Sequence, residues 1–140
     1  MTLTLEGISK VVDGAVHIHP TDLTLEPGTM NVLLGPTLSG KTSLMRLMAG
    51  LDVPASGRIL WQERDVTGMR VQDRAVAMVY QQFINYPSMS VYDNIASPLR
   101  LQGKSKAEID AGVRQTAEML KLTPMLERKP LELSGGQQQR

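Results

Sequence analysis

Cysteine is absent from this 140-residue chain, which excludes disulfides and thiolate-bound metal and fits a reducing compartment. No apolar run approaches the ~18 residues that a membrane-spanning helix needs, and the N-terminus lacks the basic-then-apolar order of a signal sequence. Attachment to a membrane is therefore expected only through a partner. Charge of one sign is not in excess: 15 basic residues face 14 acidic ones for a net charge of +1, with no block of like charge. That balance excludes the basic footprint of a nucleic-acid-binding surface. There is no internal repeat and no low-complexity linker. What remains, 41% hydrophobic and 21% charged residues, is ordinary usage for part of a soluble α/β domain.

The most informative stretch is Gly35-Pro36-Thr37-Leu38-Ser39-Gly40-Lys41-Thr42, which fits the phosphate-loop pattern G-x-x-x-x-G-K-[ST] without a mismatch. Its context is the required one. The apolar run Met30-Asn31-Val32-Leu33-Leu34 has strand length, and Leu44, Leu47, Met48 and Leu51 then recur at the spacing of a helix face that ends near Gly50. Glycines allow backbone N–H groups to close on phosphate oxygens, and the helix N-terminus adds unpaired donors of partial positive charge. In such a loop Lys41 is a point charge on the β- and γ-phosphates, and Thr42, followed by Ser43, gives its hydroxyl to Mg²⁺. The plain alternative is an ordinary glycine-rich turn.

A second motif closes the chain. Leu133-Ser134-Gly135-Gly136-Gln137 places a capping serine ahead of two glycines, and so makes another helix start with backbone N–H groups open to an anion. Between the two motifs lies Met78-Val79-Tyr80-Gln81-Gln82-Phe83-Ile84-Asn85-Tyr86-Pro87. The amide of Gln81 suits a neutral group near Mg²⁺ or an attacking water, since it both donates and accepts. Phe83, Tyr86 and Pro87 read as an apolar surface patch, with core packing as the plain alternative for Phe83.

Together these runs resemble the ABC-type ATPase family, whose signature is Leu-Ser-Gly-Gly-Gln and whose glutamine loop Gln81 matches. The likeness covers all 140 residues. It implies an α/β P-loop NTPase fold with an antiparallel β subdomain, a RecA-like core and a helical subdomain, ending after the signature. The expected division is 1–80 for the β subdomain and phosphate-loop core, 81–134 for the glutamine loop and helical subdomain, and 134–140 for the signature and helix start. The same likeness implies ATP and Mg²⁺ as cofactors, with Thr42 and Gln81 on the metal side. Ser134, Gly135, Gly136 and Gln137 would serve the ATP of a facing ATP-binding subunit in a homo- or heterodimer. Transmembrane permease subunits are the implied partners, an extracytoplasmic solute-binding protein an indirect one, and nucleic acid is none. The implied place is the cytoplasmic face of the inner membrane, held peripherally.

Tyr86-Pro87-Ser88-Met89-Ser90-Val91-Tyr92-Asp93-Asn94-Ile95 and Arg128-Lys129-Pro130 narrow the resemblance to ATPases of bacterial carbohydrate and polyol importers, and Gly35-Pro36-Thr37-Leu38 with Met48-Ala49-Gly50-Leu51-Asp52 resemble those of glycerol importers. A non-transport member of the family, or a module that binds nucleotide without turnover, stands as the alternative. No residue here matches the family's Mg²⁺-binding Asp, catalytic Glu or switch His; Glu127 and Glu132 read as surface or turn residues.

Two departures from the family stand out. Leu38 replaces a usual glycine, at a cost of about 1–2 kcal/mol if the backbone there is left-handed; the expectation is a tolerated side chain packed away from phosphate. Val12, in Val11-Val12-Asp13-Gly14 just after the first strand, falls where an aromatic usually stacks on adenine. His17 and His19, two apart on a strand, share one face. They read as a solvated face, as a metal-chelating pair without a third ligand, or as neighbours of the adenine.

Local patterns fill the rest of the plan. Thr2–Glu6 and Asp22–Glu26 alternate as half-buried strands, and Arg58–Trp61 and Ala75–Val79 read as a further strand pair. Ser90 with Asp93, and Ser105 with Glu108, mark helix starts, and Pro98 is expected to end or kink the first helix. Ile109, Val113, Ala117 and Leu120 form the inner face of the second. The nine methionines read as core filler.

Overall fold

The computed structural model describes residues 2–74 and 76–140, and the chain divides into two compact units, 1–78 and 79–140. In the first unit, alternating apolar residues build β1 (Leu3–Val12) and β2 (Ala15–Leu25), joined by the two residues Asp13-Gly14. Both take positive φ, 50° and 80°, the geometry that matches a hairpin turn to the twist of its strands. Val12 thus ends β1 and pairs with Ala15, rather than lying in a segment beyond the strand. β3 (Ser56–Trp61) pairs antiparallel with the other edge of β1, and the short β4 (Arg64–Asp65) completes a sheet of order β2-β1-β3-β4.

One helix, α1 (Lys41–Ala49), covers this sheet. Its Leu44 and Leu47 join Leu5, Ile8, Ile18, Ile59 and Val66 in one core, as helical spacing leads one to expect. Met48 packs at the margin of that core. Gly50, at φ 76°, closes the helix: its N–H donates to the Leu47 carbonyl at 3.0 Å and that of Leu51 to the Arg46 carbonyl at 2.9 Å. This is the double bond pattern of a left-handed glycine stop.

Two expected strands are not formed. Met30–Leu34 has no ladder partner among the described residues, and Met30, Val32 and Leu34 are 93%, 72% and 85% exposed. A continuous apolar run is the pattern of a strand covered on both faces by neighbours, and no such neighbour is present among the described residues. The Ala75–Val79 run likewise carries no strand over residues 76–79, while Ala75 lies outside the described residues.

The second unit is helical. Ser90 caps α2 (Val91–Leu101) by accepting from the Asp93 N–H at 3.1 Å. Pro98 does not end this helix, which runs on to Leu101 with the proline on its exposed face. Ser105 and Glu108 close a capping box at α3 (Lys106–Met119). Val91, Ala96, Ile109, Val113, Ala117, Leu122 and Leu126 form the core between the helices, and Leu120 packs against it. The last helix, α4 (Gly135–Gln139), starts at Ser134.

Candidate phosphate-binding site

The loop Gly35–Gly40 connects the exposed run to α1 and folds around the lysine side chain. Lys41 Nζ donates to the carbonyls of Gly35 at 2.8 Å and Pro36 at 2.6 Å, and lies 3.4 Å from Ser39 Oγ. A turn fixes the tip, with Ser39 N–H on the Pro36 carbonyl at 3.3 Å. The concavity is tight at both ends. A Cβ on Gly35 would stand 2.8 Å from Ser39 Oγ, and one on Gly40 would stand 2.6 Å from Ile18 Cδ1 and 3.2 Å from the His17 carbonyl. Gly40 also has φ 87°, so glycine is required there on two counts.

Electrostatically the site is built for an anion. α1 begins at Lys41 with no side chain capping its first N–H groups and no acidic residue in its first turn. Those orphan donors and the positive end of the helix belong to the same loop that seats the Lys41 ammonium on the Gly35 and Pro36 carbonyls. Thr42 is exposed and Ser43 half-buried in that first turn. The chain's own residues thus fit the phosphates of a nucleotide. For Mg²⁺ they offer the Thr42 hydroxyl, which suffices only with phosphate oxygens and water as further ligands. No cluster of three or more His, Asp or Glu able to hold a metal occurs among the described residues.

Leu38 adopts φ 68°, so the left-handed backbone feared for a non-glycine residue is present. Its side chain packs on nothing and is 99% exposed. The expectation of a packed side chain is corrected: the loop carries the backbone strain without a contact in return. His17 and His19 are both exposed, on the face of β2 opposite the buried Ile18, so the solvated-face description holds for the pair. Among the described residues they have no third metal-binding companion.

In the second unit, Gln81 lies exposed in an irregular segment. The signature stands close to that segment: Gln139 Nε2 donates to the Tyr80 carbonyl at 3.3 Å, and a Cβ on Gly135 would lie 3.5 Å from the Phe83 ring. Ser134 and Gln137 cap each other, Ser134 Oγ accepting from Gln137 N at 3.3 Å and Gln137 Oε1 from Ser134 N at 2.9 Å. The N–H groups of Gly135 and Gly136, first in α4, have no acceptor within the helix itself. Phe83 and Tyr86 are 50% and 57% exposed and Pro87 is exposed, so the three residues read from the sequence as an apolar patch lie at the surface, with Ile84 beside them at 70%. Beside it a cleft of ≈ 200 Å³ is lined by Ile84, Tyr86, Val91, Ile95 and Leu133. Glu127 and Glu132 are exposed, and Glu132 caps the Lys129 N–H at 2.7 Å.

Sequence reasoning missed two contacts around the phosphate-loop helix. Asp52 accepts from Lys10 of β1 and from Arg46 of α1, at 2.7 and 3.1 Å for the latter. These bonds, Arg46 foremost, hold its carboxyl at about 2, below the usual 3.8. Arg74 is buried against the end of α1, and burial lowers its pKa. An Arg or Asp at such a position has no short-range signature, since its partners are 6 to 42 residues away.

The family model described as ABC transporter matches residues 18–140. Among curated proteins, the sn-glycerol-3-phosphate import ATP-binding protein UgpC of Psychromonas ingrahamii is 46% identical over 140 residues, covering 99% of this chain and 38% of that protein. UgpC of Pectobacterium atrosepticum is 42% identical over 139 residues, or 99% of this chain and 39% of its own. The osmoprotective compounds uptake ATP-binding protein GgtA of Synechocystis sp. is 43% identical over 139 residues, with 99% and 38% covered. The chain therefore spans under two-fifths of the length of these relatives. A solved structure, the dimeric post-hydrolysis state of the ATP-binding cassette MJ0796 bound to ADP and Pi, has a TM-score of 0.84 at 22% identity. It matches 97% of this chain and 65% of that one, a likeness of fold.

Proposed function

The chain belongs to the ABC transporter family, and from that premise we propose that it is the phosphate-loop portion of an ATPase powering import of a small polyol or its phosphate ester. The observation that carries this reading is the loop itself: Lys41 Nζ seated on the Gly35 and Pro36 carbonyls beside an uncapped, acid-free helix start. Such a site holds ATP through Gly35, Pro36, Thr37, Leu38, Ser39, Gly40, Lys41, Thr42 and Ser43, with Lys41 meeting charge as the γ-phosphoryl is transferred to water. Bound Mg²⁺ neutralises phosphate charge, and the Thr42 hydroxyl would be its ligand from this loop. Gln81 would orient the attacking water through its amide, and would stand with Thr42 on the Mg²⁺ side of the nucleotide. Ser134, Gly135, Gly136 and Gln137 close on ATP held by a second ATP-binding subunit, which makes the working unit a head-to-tail dimer. Val12, at the hairpin tip, contributes apolar contact to the base.

The patch of Phe83, Tyr86 and Pro87 is the face for a permease, and the site of action is the cytoplasmic face of the inner membrane. Among the described residues no helix is long and apolar enough to cross a membrane. The names of the relatives support a polyol ester or an osmoprotective compound as cargo. The decisive experiment reconstitutes the protein with its permease in vesicles and measures ATP-dependent uptake of labelled glycerol, sn-glycerol 3-phosphate and a disaccharide. Accumulation of one polyol species, lost in Lys41→Ala, supports the reading. ATP turnover without uptake of any of them overturns it.

A further inference from the structure

Among the described residues of the first unit, the buried polar or charged side chains are Ser9 and Arg74. Ser9 is paired with Ser56 Oγ at 2.7 Å. Arg74 is 9% exposed, and its Nε, buried, has no hydrogen-bond partner. A buried guanidinium with an unpaired N–H is costly, and an apolar side chain of similar volume would usually be as good or better for stability alone. Its bonds indicate what it does instead. Nη1 donates to the Met48 carbonyl at 2.9 Å, and Nη2 donates to the carbonyl of Val66, a core residue just after β4.

The helix end explains the first bond. Leu51 and Gly50 satisfy the Arg46 and Leu47 carbonyls, and Arg74 takes the next one, that of Met48. Its positive charge lies at the negative end of the α1 dipole, and Gly50 leaves room for it: a Cβ there would stand 2.5 Å from Nη1. We infer that Arg74 is a positioning residue for the phosphate loop, a charged clamp that fixes the carbonyl end of α1 to the β3–β4 region and thereby aims Lys41 and Thr42 at the other end. Leverage makes this consequential. A nine-residue helix is about 13 Å long, so a tilt of about 10° at the clamped end moves Lys41 by about 2 Å. Displacements of about 1 Å can cost up to a hundredfold where groups must meet a substrate in a set geometry.

This inference rests on the phosphate loop binding nucleotide, so the test carries its own control. Dissociation constants for Mg²⁺–ATP are measured by calorimetry on the full chain as wild type, Arg74→Met, Arg74→Lys, Lys41→Ala and the double variant Arg74→Met with Lys41→Ala, each with its melting temperature. Leu3, Met48, Trp61, Val66 and Met69 around Arg74 form an apolar setting that receives a methionine. Arg74→Met is expected to melt within a few degrees of wild type yet bind ATP about tenfold more weakly. Arg74→Lys, which keeps the cation at the helix end, recovers part of that loss. In the Lys41→Ala background, Arg74→Met should weaken binding by clearly less than it does in the wild type, since one of the two side chains being aimed is gone. Unchanged affinity in Arg74→Met, or equal losses in both backgrounds, overturns the clamp while leaving the phosphate loop intact. Should Arg74→Met fail to fold, full wild-type affinity in a folded Arg74→Lys overturns it, and a partial loss supports it. No effect of Lys41→Ala itself would instead sink the nucleotide reading.

Discussion

Replacing Asp52 by asparagine removes a charge without changing shape, and the structure sets the size and pH dependence of the loss. Asp52 ties Lys10 of β1 and Arg46 of α1 to the residues just after the helix, and its side chain is 15% exposed. The Arg46 hydrogen bonds lead in depressing its pKa from 3.8 to about 2, with the Lys10 bond and both charges adding to the effect against the opposing pull of burial. Close to two pH units at about 1.4 kcal/mol each gives about 2 kcal/mol of stability from the ionised carboxylate. Because the folded pKa is the lower one, that contribution is complete above the unfolded value of 3.8 and disappears as the pH falls through about 2. Trp61, the only tryptophan of the chain, lies in β3 of the same unit and reports its unfolding. Urea unfolding followed by Trp61 fluorescence should show Asp52→Asn destabilised by about 2 kcal/mol at pH 7, with the gap to wild type closing between pH 4 and about 2. Other carboxylates titrate in both proteins and cancel in the difference. A gap that stays constant down to pH 2, or no gap at pH 7, would refute the ion-pair argument.

Leu38→Gly relieves a left-handed leucine of about 1–2 kcal/mol while adding about 0.4–1 kcal/mol of unfolded-state freedom, so a net gain of up to about 1.5 kcal/mol is expected in the same Trp61 assay. A loss of stability would mean that the exposed side chain makes a contact in solution. Val12→Tyr should tighten ATP binding if the hairpin tip faces adenine, since base stacking is worth roughly 1–3 kcal/mol; an unchanged dissociation constant places Val12 elsewhere. Ser105→Ala removes the cap of α3 and should cost about 1 kcal/mol in urea unfolding monitored by circular dichroism. Residues 1–140 by themselves should bind ATP without hydrolysing it above background, because none of them matches the family's Mg²⁺-binding Asp or catalytic Glu. Lys41-dependent turnover by these residues would locate a catalytic carboxylate among them.

Much of the site was legible because its determinants are local. The glycines at 35, 40 and 50, the helical spacing of Leu44 and Leu47, and the serines at 90, 105 and 134 each act within a few residues, and each stands where the pattern put it. The strand expected at Met30–Leu34 illustrates the opposite case. Its apolar run states a need for neighbours on both faces, and a strand forms only when other segments meet that need. Pro98 left two outcomes open, an end or a kink, and the helix does not end there: a proline forbids one backbone bond, and a helix can run on past it. Arg74 and Asp52 were invisible because their partners, Met48 and Lys10, lie 26 and 42 residues away. The hairpin at Asp13-Gly14 did have a signal, the dipeptide itself, and would have extended both strands to it.

The central claim is that the loop from Gly35 to Thr42 holds the phosphates of a nucleotide with Lys41 as its mobile cation. Titration of Mg²⁺–ATP into the wild-type chain and into Lys41→Ala tests it most directly. A charge-assisted hydrogen bond of about 1.5–3 kcal/mol predicts saturable binding by the wild type that weakens about tenfold or more in the variant. Equal affinity in the two proteins, or no saturable binding by the wild type, would contradict it.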